Sequence, residues 1–545
     1  MPLVVLAWAV RVSGLVAVVD TSRPGMREIR HRAFEDGTQA LTLVVAVLSA
    51  AVALLFADGL RRGRRRAWRV LTVLTALGVV THLRGGTRLG LLVNAALLLG
   101  LVAAGGRCRA EAERGSRWRA LRVLAVTASV SLGGGLLLTA RLAPQAGYGE
   151  WVGQTLQGLL GATPNLPFTH DRAAGLTGSV LAGLGASTLL LSALAFLAPP
   201  RGRSVASEAD DARLRDLLGR WGELDSLGYF ALRRDKVVVF APSGGAAVAY
   251  RVVAGASLAS GDPVGDPDSW QDAITAWLAE ARRFAWVPGV VGASETGAAA
   301  YARAGLDALE FGDEAVLDLT TWGLAGRSMR GVRQAVARAR RAGTTVAVDR
   351  LGDLDPVELA RVRDAAGRFR DGEAERGFSM ALGRLDPAVD PAVLVVRARD
   401  GDEALVAVLV FAPWGATGVS LDLMRRARGA ENGVVEFAVA TLAERGPALG
   451  IHRVSLNFAV FRSAFERGAR IGAGPVSRMW RRVLVLASRW WQIESLYRAN
   501  VKYSPDWVPR YVCFRTAGEL PRITLAALEA EAYLQRPRLL RLLGR

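Results

Sequence analysis

The chain has 545 residues, 51% of them hydrophobic and 22% charged, with a formal net charge of +19 and a mean hydropathy of +0.23. A chain both this apolar and this charged must segregate its apolar residues into blocks, which excludes intrinsic disorder and a small secreted scaffold. Two distant cysteines, Cys108 and Cys513, and four dispersed histidines, His31, His82, His170 and His452, exclude a disulfide framework or thiolate zinc site and argue against histidine-based metal or triad chemistry, so neither a metal nor a cofactor is expected.

The apolar blocks fill the first 200 residues. Residues 40–57, 70–83, 89–104, 121–140 and 177–197 are free of charge apart from Arg122, and runs of about 17–25 such residues read as transmembrane helices. Residues 2–19, with Arg11 in their middle, offer a sixth span. Arginines gather between the second and third spans (Arg61, Arg62, Arg64, Arg65, Arg66, Arg69) and between the fourth and fifth (Arg107, Arg109, Arg114, Arg117, Arg119, Arg122), while the alternate loops hold few. The positive-inside rule then puts both clusters, and the chain after Arg201, on the cytoplasmic side of a cell membrane; Arg23, Arg27, Arg30 and Arg32 run against that pattern. Gly133, Gly134 and Gly135 in the fifth span predict close helix packing.

From Ser204 the pattern becomes that of a mixed α/β domain. Strands are expected at 237–241, 247–254, 315–319, 392–397, 404–411, 418–424 and 453–458, and helices at 210–221, 270–283, 331–342, 356–369 and 432–444. More than 300 residues is large for one unit, so two halves are expected, 205–345 and 346–522, after a membrane domain at 1–200 and before a basic amphipathic tail at 523–545.

The chain carries no GxxxxGK[ST] phosphate loop, HExxH or GxSxG, so triphosphate hydrolysis and zinc catalysis are poor candidates. What remains is polar residues at strand ends and turns. In 419–426 (VSLDLMRR) strand alternation places Ser420, Asp422 and Met424 on one side and Leu421 and Leu423 on the other. Asp422 reads either as half of a structural ion pair with Arg425 or Arg426, or as a carboxylate that orients or deprotonates a hydroxyl. In 496–511 (LYRANVKYSPDWVPRY), Lys502, one of only two lysines with Lys236, stands among Tyr503, Trp507 and Arg510; cations interleaved with rings suit an aminoacyl-tRNA end or a lipid phosphate, or a helix end and proline-bracketed turn. Residues 260–266 (SGDPVGD) read as a strand-to-helix turn. Arg384 in 377–384 (GFSMALGR) suits an anion or a plain loop, Arg330 and Arg333 begin a basic helix suited to an RNA backbone or to solvent, and Asn457 ends a strand.

In this order, GDPVG (261–265), RSMRGVR (327–333) with Ala342 and Gly343, FSMALGR (378–384), DLMR (422–425), SLN (455–457) and KYSPDWVPRY (502–511), the chain resembles the cytoplasmic catalytic domain of the phosphatidylglycerol lysyltransferase (multiple peptide resistance factor) family from about Trp221 to Phe514. The resemblance implies two fused acetyltransferase-like (GNAT-type) folds and transfer of an aminoacyl group, commonly lysyl or alanyl, from its charged tRNA to the glycerol headgroup of phosphatidylglycerol, which lowers membrane charge and protects against cationic peptides. It ties Asp422, Arg425, Lys502 and Arg510 to activity. The sequence departs from the family at Asn500, where a lysine is common, and with about 24 residues after Pro521 no fused lysyl-tRNA synthetase is expected. Asp422 is assigned to the acceptor hydroxyl, Arg425 to the lipid phosphate, and Lys502 with Arg510 to the tRNA acceptor end or the oxyanion. Glu436, Glu431 and Asp386 are the carboxylates weighed for a lysyl ε-ammonium. Two alternatives stay open at this stage: a membrane-tethered RNA- or lipid-binding protein without activity, and the same fold acting on another acceptor.

Overall fold

The computed structural model describes residues 5–10, 56–57, 59–85, 88–108, 110, 116–160, 166, 168, 171–197, 206–370, 377–460 and 499–534. The chain divides into two compact units near Arg201.

The first unit is helical: α1 (Arg65–Gly85), α2 (Arg88–Ala104), α3 (Ser116–Leu142), α4 (Tyr148–Leu159) and α5 (Asp171–Leu197). Among the described residues two stretches are long and apolar enough to cross a membrane, Trp118–Leu142 in α3 and Ala173–Phe196 in α5, with 25 and 24 residues; at 1.5 Å per residue each exceeds ~30 Å of hydrocarbon. Leu91–Ala104 is shorter, and the expected span at 70–83 lies inside α1 between Arg65, Arg66, Arg69 and Arg84. Of the expected span at 40–57 only 56–57 are described, and of the one at 2–19 only 5–10, which are helical.

Of the three consecutive glycines, only Gly135 makes a close approach. A Cβ there would lie 2.6 Å from Thr155 and 2.7 Å from Leu181, whereas Gly133 and Gly134 face open space. Hydroxyl pairs join the helices at the same level, Ser131 with Thr188 at 2.9 Å and Thr139 with Thr155 at 3.2 Å, which satisfies polar groups where water is scarce. Helix α4 occupies a stretch that reads as a loop in the sequence, because it is short and lacks a continuous apolar run. Its start is fixed by the Gly147 N–H, which donates to Glu150 at 2.8 Å.

In the second unit, α6 (Glu208–Trp221) opens on a capping box between Ser207 and Asp210. Twelve strands of the described residues form one sheet: β1 (Val237–Phe240), β2 (Ala246–Val253), β3 (Ala256–Ser260), β4 (Val264–Gly265), β5 (Val287–Ala293), β6 (Asp307–Asp318), β7 (Thr345–Arg350), β8 (Leu394–Arg399), β9 (Leu405–Trp414), β10 (Gly418–Arg426), β11 (Arg453–Val460) and β12 (Asp506–Phe514). Their spatial order is β1-β2-β3-β5-β12-β6-β11-β10-β9-β8-β7, with β4 beside β2. The same pattern occurs twice. Antiparallel β1-β2-β3 lead through α7 (Trp270–Arg283) to β5, parallel to β3; antiparallel β8-β9-β10 lead through α11 (Val434–Arg445) to β11, parallel to β10. The closing strands are exchanged: β6, which ends the first pattern after α8 (Glu295–Arg303), pairs with β11, and β12, from the end of the second, pairs with β5. Between them, β6 and β12 pair with each other.

Both sheet faces are covered, so the middle strands are buried on both sides. Along β9, Ala407, Leu409 and Phe411 enter a core beneath α9 (Arg330–Arg341) and α11. Val408, Val410 and Ala412 enter a second core with α6 and α10 (Pro356–Arg368). The readings of 496–511 include a proline-bracketed turn but no strand, and the structure places β12 there with Pro509 inside it, an unusual residue for an inner strand. The ladder explains its place: at Pro509 the strand pairs only with β6, and pairing with β5 starts at Tyr511, so the missing N–H falls where the second neighbour has not begun. Strands β3 and β5 and helix α8 also escaped the sequence reading, being short and largely buried without alternation, as did β7, a short strand whose one buried residue is Val348. Helix α12 (Leu520–Ala530) follows β12.

Candidate active site

The parallel pair β10–β11 is in register only from Gly418 opposite Arg453 to Ser420 opposite Ser455. Beyond that point β10 continues with β9 and β11 with β6, so the pairing between the two strands ends there. Asp422 is the first charged residue along β10 past the split. It sits on a β-bulge, because the β9 register jumps between Leu421 and Leu423. The bulge overturns the expected alternation: Leu421 packs into the core under α11, while Leu423 packs into the core on the other face. Asp422 is half-buried, and its Oδ1 accepts the Leu382 N–H at 2.8 Å. Two motifs distant in sequence, 378–384 and 422–425, thus meet at one carboxylate. Arg425 turns elsewhere, its Nη1 donating at 2.6 Å to the Ala366 carbonyl near the end of α10, a favourable place for a cation.

Arg384 lies at the far end of the loop, held by buried Asp390 at 2.6 and 3.2 Å and by the Leu232 carbonyl at 2.7 Å. Asp390 also accepts from Arg215 at 3.1 Å and Tyr229 at 2.9 Å. Burial works to raise the Asp390 carboxyl, and the two arginines with the phenol hold it below its ordinary value. This is a structural knot rather than an open anion cradle.

Lys502 and Glu436 come together. The Lys502 Nζ donates to Glu436 Oε1 at 2.5 Å, with the two side chains 32% and 21% exposed. Glu436 stands in the first turn of α11, where a carboxylate is favoured. Burial pushes its carboxyl up, but the Lys502 ammonium outweighs that and leaves it below the ordinary carboxylate range. Tyr503 is buried next in sequence, its phenol raised well above the ordinary value by burial and by Glu436, and its hydroxyl has no hydrogen-bond partner among the described residues. Trp507 packs half-buried against the same core. Asn500, buried, donates to the Leu456 carbonyl at 3.4 Å.

Arg510 has a different environment. It is 3% exposed. Its Nε and Nη2 donate to Glu314 at 3.0 and 2.5 Å, Nη1 to Asp225 at 2.7 Å and the Gly292 carbonyl at 3.1 Å, and Nη2 also to Ser226 at 2.6 Å. A guanidinium has five N–H donors, and all five are used. Ser226 and Ser455 both donate to the other oxygen of Glu314. Next to this cluster Asp262 accepts from the Ser294 N–H at 2.8 Å and hydroxyl at 2.5 Å; burial and the neighbouring Asp225 raise its carboxyl well above the ordinary range.

The remaining candidates are scattered. Arg330 and Arg333 start α9; Arg333 donates to the carbonyls of Leu324 and Gly326. Asn457 lies on β11, and its side chain is outside the described residues. Asp386 faces Arg234 at 3.5 Å. Sequence reasoning passed over Lys236, which is fully buried, donates to the Phe230 carbonyl at 3.0 Å and Ser260 at 2.5 Å, and lies 4.8 Å from the centre of the Phe378 ring. Burial, aided by Arg233, lowers its amine to about 7. Its rarity in an arginine-rich chain was the signal. Glu314 and Asp225 carried none, since only the fold brings them to Arg510.

Residues 215–514 match the family described as phosphatidylglycerol lysyltransferase, C-terminal. The chain belongs to that family. Among its relatives is the lysylphosphatidylglycerol biosynthesis bifunctional protein LysX of Rhodococcus opacus, 45% identical over 513 residues that cover 92% of this chain and 45% of the relative. The protein of the same description from Mycobacterium marinum is 45% identical over 520 residues, covering 92% and 46%. The chain therefore spans about half the length of the curated relatives it matches. The solved structure of L-PGS from Bacillus licheniformis has the same fold over 61% of this chain and 100% of its own, with a TM-score of 0.53 at 20% identity.

Proposed function

We propose that this chain is a membrane-bound aminoacyltransferase that moves an aminoacyl group, lysyl by preference, from aminoacyl-tRNA to the glycerol headgroup of phosphatidylglycerol. The family match and the relatives' printed role in lysylphosphatidylglycerol biosynthesis support the reaction class. The observation that carries the site is Asp422, half-buried on a bulge where β10 and β11 part, with one oxygen held by a backbone N–H.

An aminoacyl-tRNA ester is already activated. The headgroup hydroxyl attacks its carbonyl carbon, the new ester bond forms, the ribose oxygen leaves with a proton, and the hydroxyl proton must go to a base. Asp422 fits that role: it is half-buried and the Leu382 N–H orients its carboxylate. Glu436 supplies the carboxylate that a lysyl ε-ammonium needs. Lys502 neutralises it, and exchange of that partner for the donor's ammonium would leave Lys502 to face the developing oxyanion. In this reading Arg425 secures the end of β10, and Arg510 ties β12 to β6 without meeting substrate. The exposed arginines of α9, Arg330 among them, attract the tRNA backbone. The two repeated strand-helix patterns support a division into two acetyltransferase-like halves near residue 345. The long apolar helices and arginine clusters of the first unit support a multi-pass anchor in the cell membrane, with the transferase on the cytoplasmic side where charged tRNA is found.

Lipids extracted from cells expressing the chain provide the test. A phosphatidylglycerol species heavier by one lysyl group, absent from cells carrying Asp422→Asn, is expected. An unmodified pool, or a modification on a different lipid, overturns the assignment.

A further inference from the structure

The loop that binds Asp422 is itself held from the far end of the chain. Glu531 follows α12 directly, and its carboxylate accepts the Phe378 N–H at 2.6 Å, the Ser379 N–H at 3.0 Å and the Ser379 hydroxyl at 2.6 Å. Phe378 and Ser379 are both fully buried, and a loop has no ladder to satisfy its amides. Here donors from two consecutive residues converge on one charged acceptor, the stronger kind of hydrogen bond. The Phe378 ring enters the core formed by Phe514, Ile523 and Ala526, and the Lys236 ammonium lies over its face. Only three residues beyond Ser379, the Leu382 N–H donates to Asp422.

The span between is short and stiff. Gly377 has φ +116°, and a Cβ there would lie 2.4 Å from the Ala381 Cβ, so the loop doubles back tightly. The Ala381 carbonyl accepts from Arg233 at 2.8 Å. A displacement at Ser379 therefore moves the Leu382 N–H.

We propose that Glu531 is a positioning residue for the transfer reaction: by fixing the amides of Phe378 and Ser379 it sets the Leu382 N–H against Asp422, and with it the aim and basicity of that carboxylate. The inference rests on Asp422 acting on the acceptor hydroxyl. A carboxylate that loses an N–H donor is less stabilised in its ionised form, so its protonation moves to higher pH. Glu531 lies beyond the 215–514 family match, so its effect reaches the site from outside that segment.

The test uses the full chain in phosphatidylglycerol vesicles with lysyl-tRNA as donor. Glu531→Ala is expected to lower kcat by about tenfold or more, the scale of one hydrogen bond to a charged group, while leaving KM for the donor within about twofold. The acid limb of its pH–rate profile should shift upward. Glu531→Asp, which keeps the charge, should recover part of both. In an Asp422→Asn background Glu531→Ala should add less than about a further twofold. Ser379→Ala removes one of the three donors and should shift the acid limb in the same direction by less, which serves if Glu531→Ala does not fold. An unmoved acid limb in both variants, or an equal rate loss with and without Asp422, would overturn the proposal. If Asp422→Asn alone keeps more than half the wild-type rate, it is the Asp422 reading that fails, whatever Glu531 does.

Discussion

Asp422 and Arg510 carry opposite charges in motifs that the sequence presents as equally suggestive, and the fold treats them oppositely. Arg510 is buried where the exchanged strands β12 and β6 meet, with every N–H donor used. Asp422 is half-buried on a bulge, with one oxygen held. A saturated buried charge has nothing left to offer a substrate and much to lose if a partner goes. A half-buried carboxylate oriented by a backbone N–H keeps access to a substrate. The difference lies in burial, which no motif encodes.

That contrast is open to direct attack. Asp422→Asn preserves shape and the Leu382 hydrogen bond but cannot take a proton, so kcat should fall by roughly 10²–10⁴-fold while the denaturation midpoint stays near wild type. Arg510→Met should do the reverse. It leaves Glu314 and Asp225 buried without their cation, and chemical denaturation should report a loss of about 3–5 kcal/mol. An Arg510→Met protein with wild-type stability and no activity would make Arg510 a participant in catalysis and erase the contrast.

Smaller effects sharpen it. Glu436→Gln should raise KM for lysyl-tRNA by about tenfold, the value of one hydrogen bond to a charged group, with a smaller change for an alanyl donor in steady-state kinetics. Lys236 tests burial alone. Its amine is lowered from the ordinary 10.5 to about 7, so between those values the unfolded chain binds a proton that the folded one does not. Stability therefore rises with pH across that window, and the rise should be weaker in Lys236→Met, compared by denaturation at pH 7 and pH 10. Least of all, Tyr503→Phe removes a buried hydroxyl without a partner among the described residues and should raise stability by about 1 kcal/mol.

Much of the second unit was legible because its helices have clear starts and amphipathic spacing: α7 was expected at 270–283 and α10 at 356–369. The pairing of Asp422 with the 378–384 loop was not, because it depends on a bulge that alternation does not foresee. Lys502 beside Glu436 joins residues 66 apart in sequence, both singled out but for separate reasons. The strand that carries Arg510 was not foreseen, and only the ladder reveals that the N–H missing at Pro509 is not needed. In the first unit, composition revealed long apolar helices but not their number. Among the described residues α3 and α5 qualify, while α1 carries too many arginines and α2 is too short.

The most direct measurement is single-turnover transfer of radiolabelled lysine from lysyl-tRNA to phosphatidylglycerol vesicles by the full chain, run beside Asp422→Asn with folding checked by circular dichroism. The account predicts label in the lipid for the wild type, and for the folded variant a rate lower by about 10²-fold or more. Label reaching the lipid at similar rates in both, or staying on the tRNA in both, would contradict it.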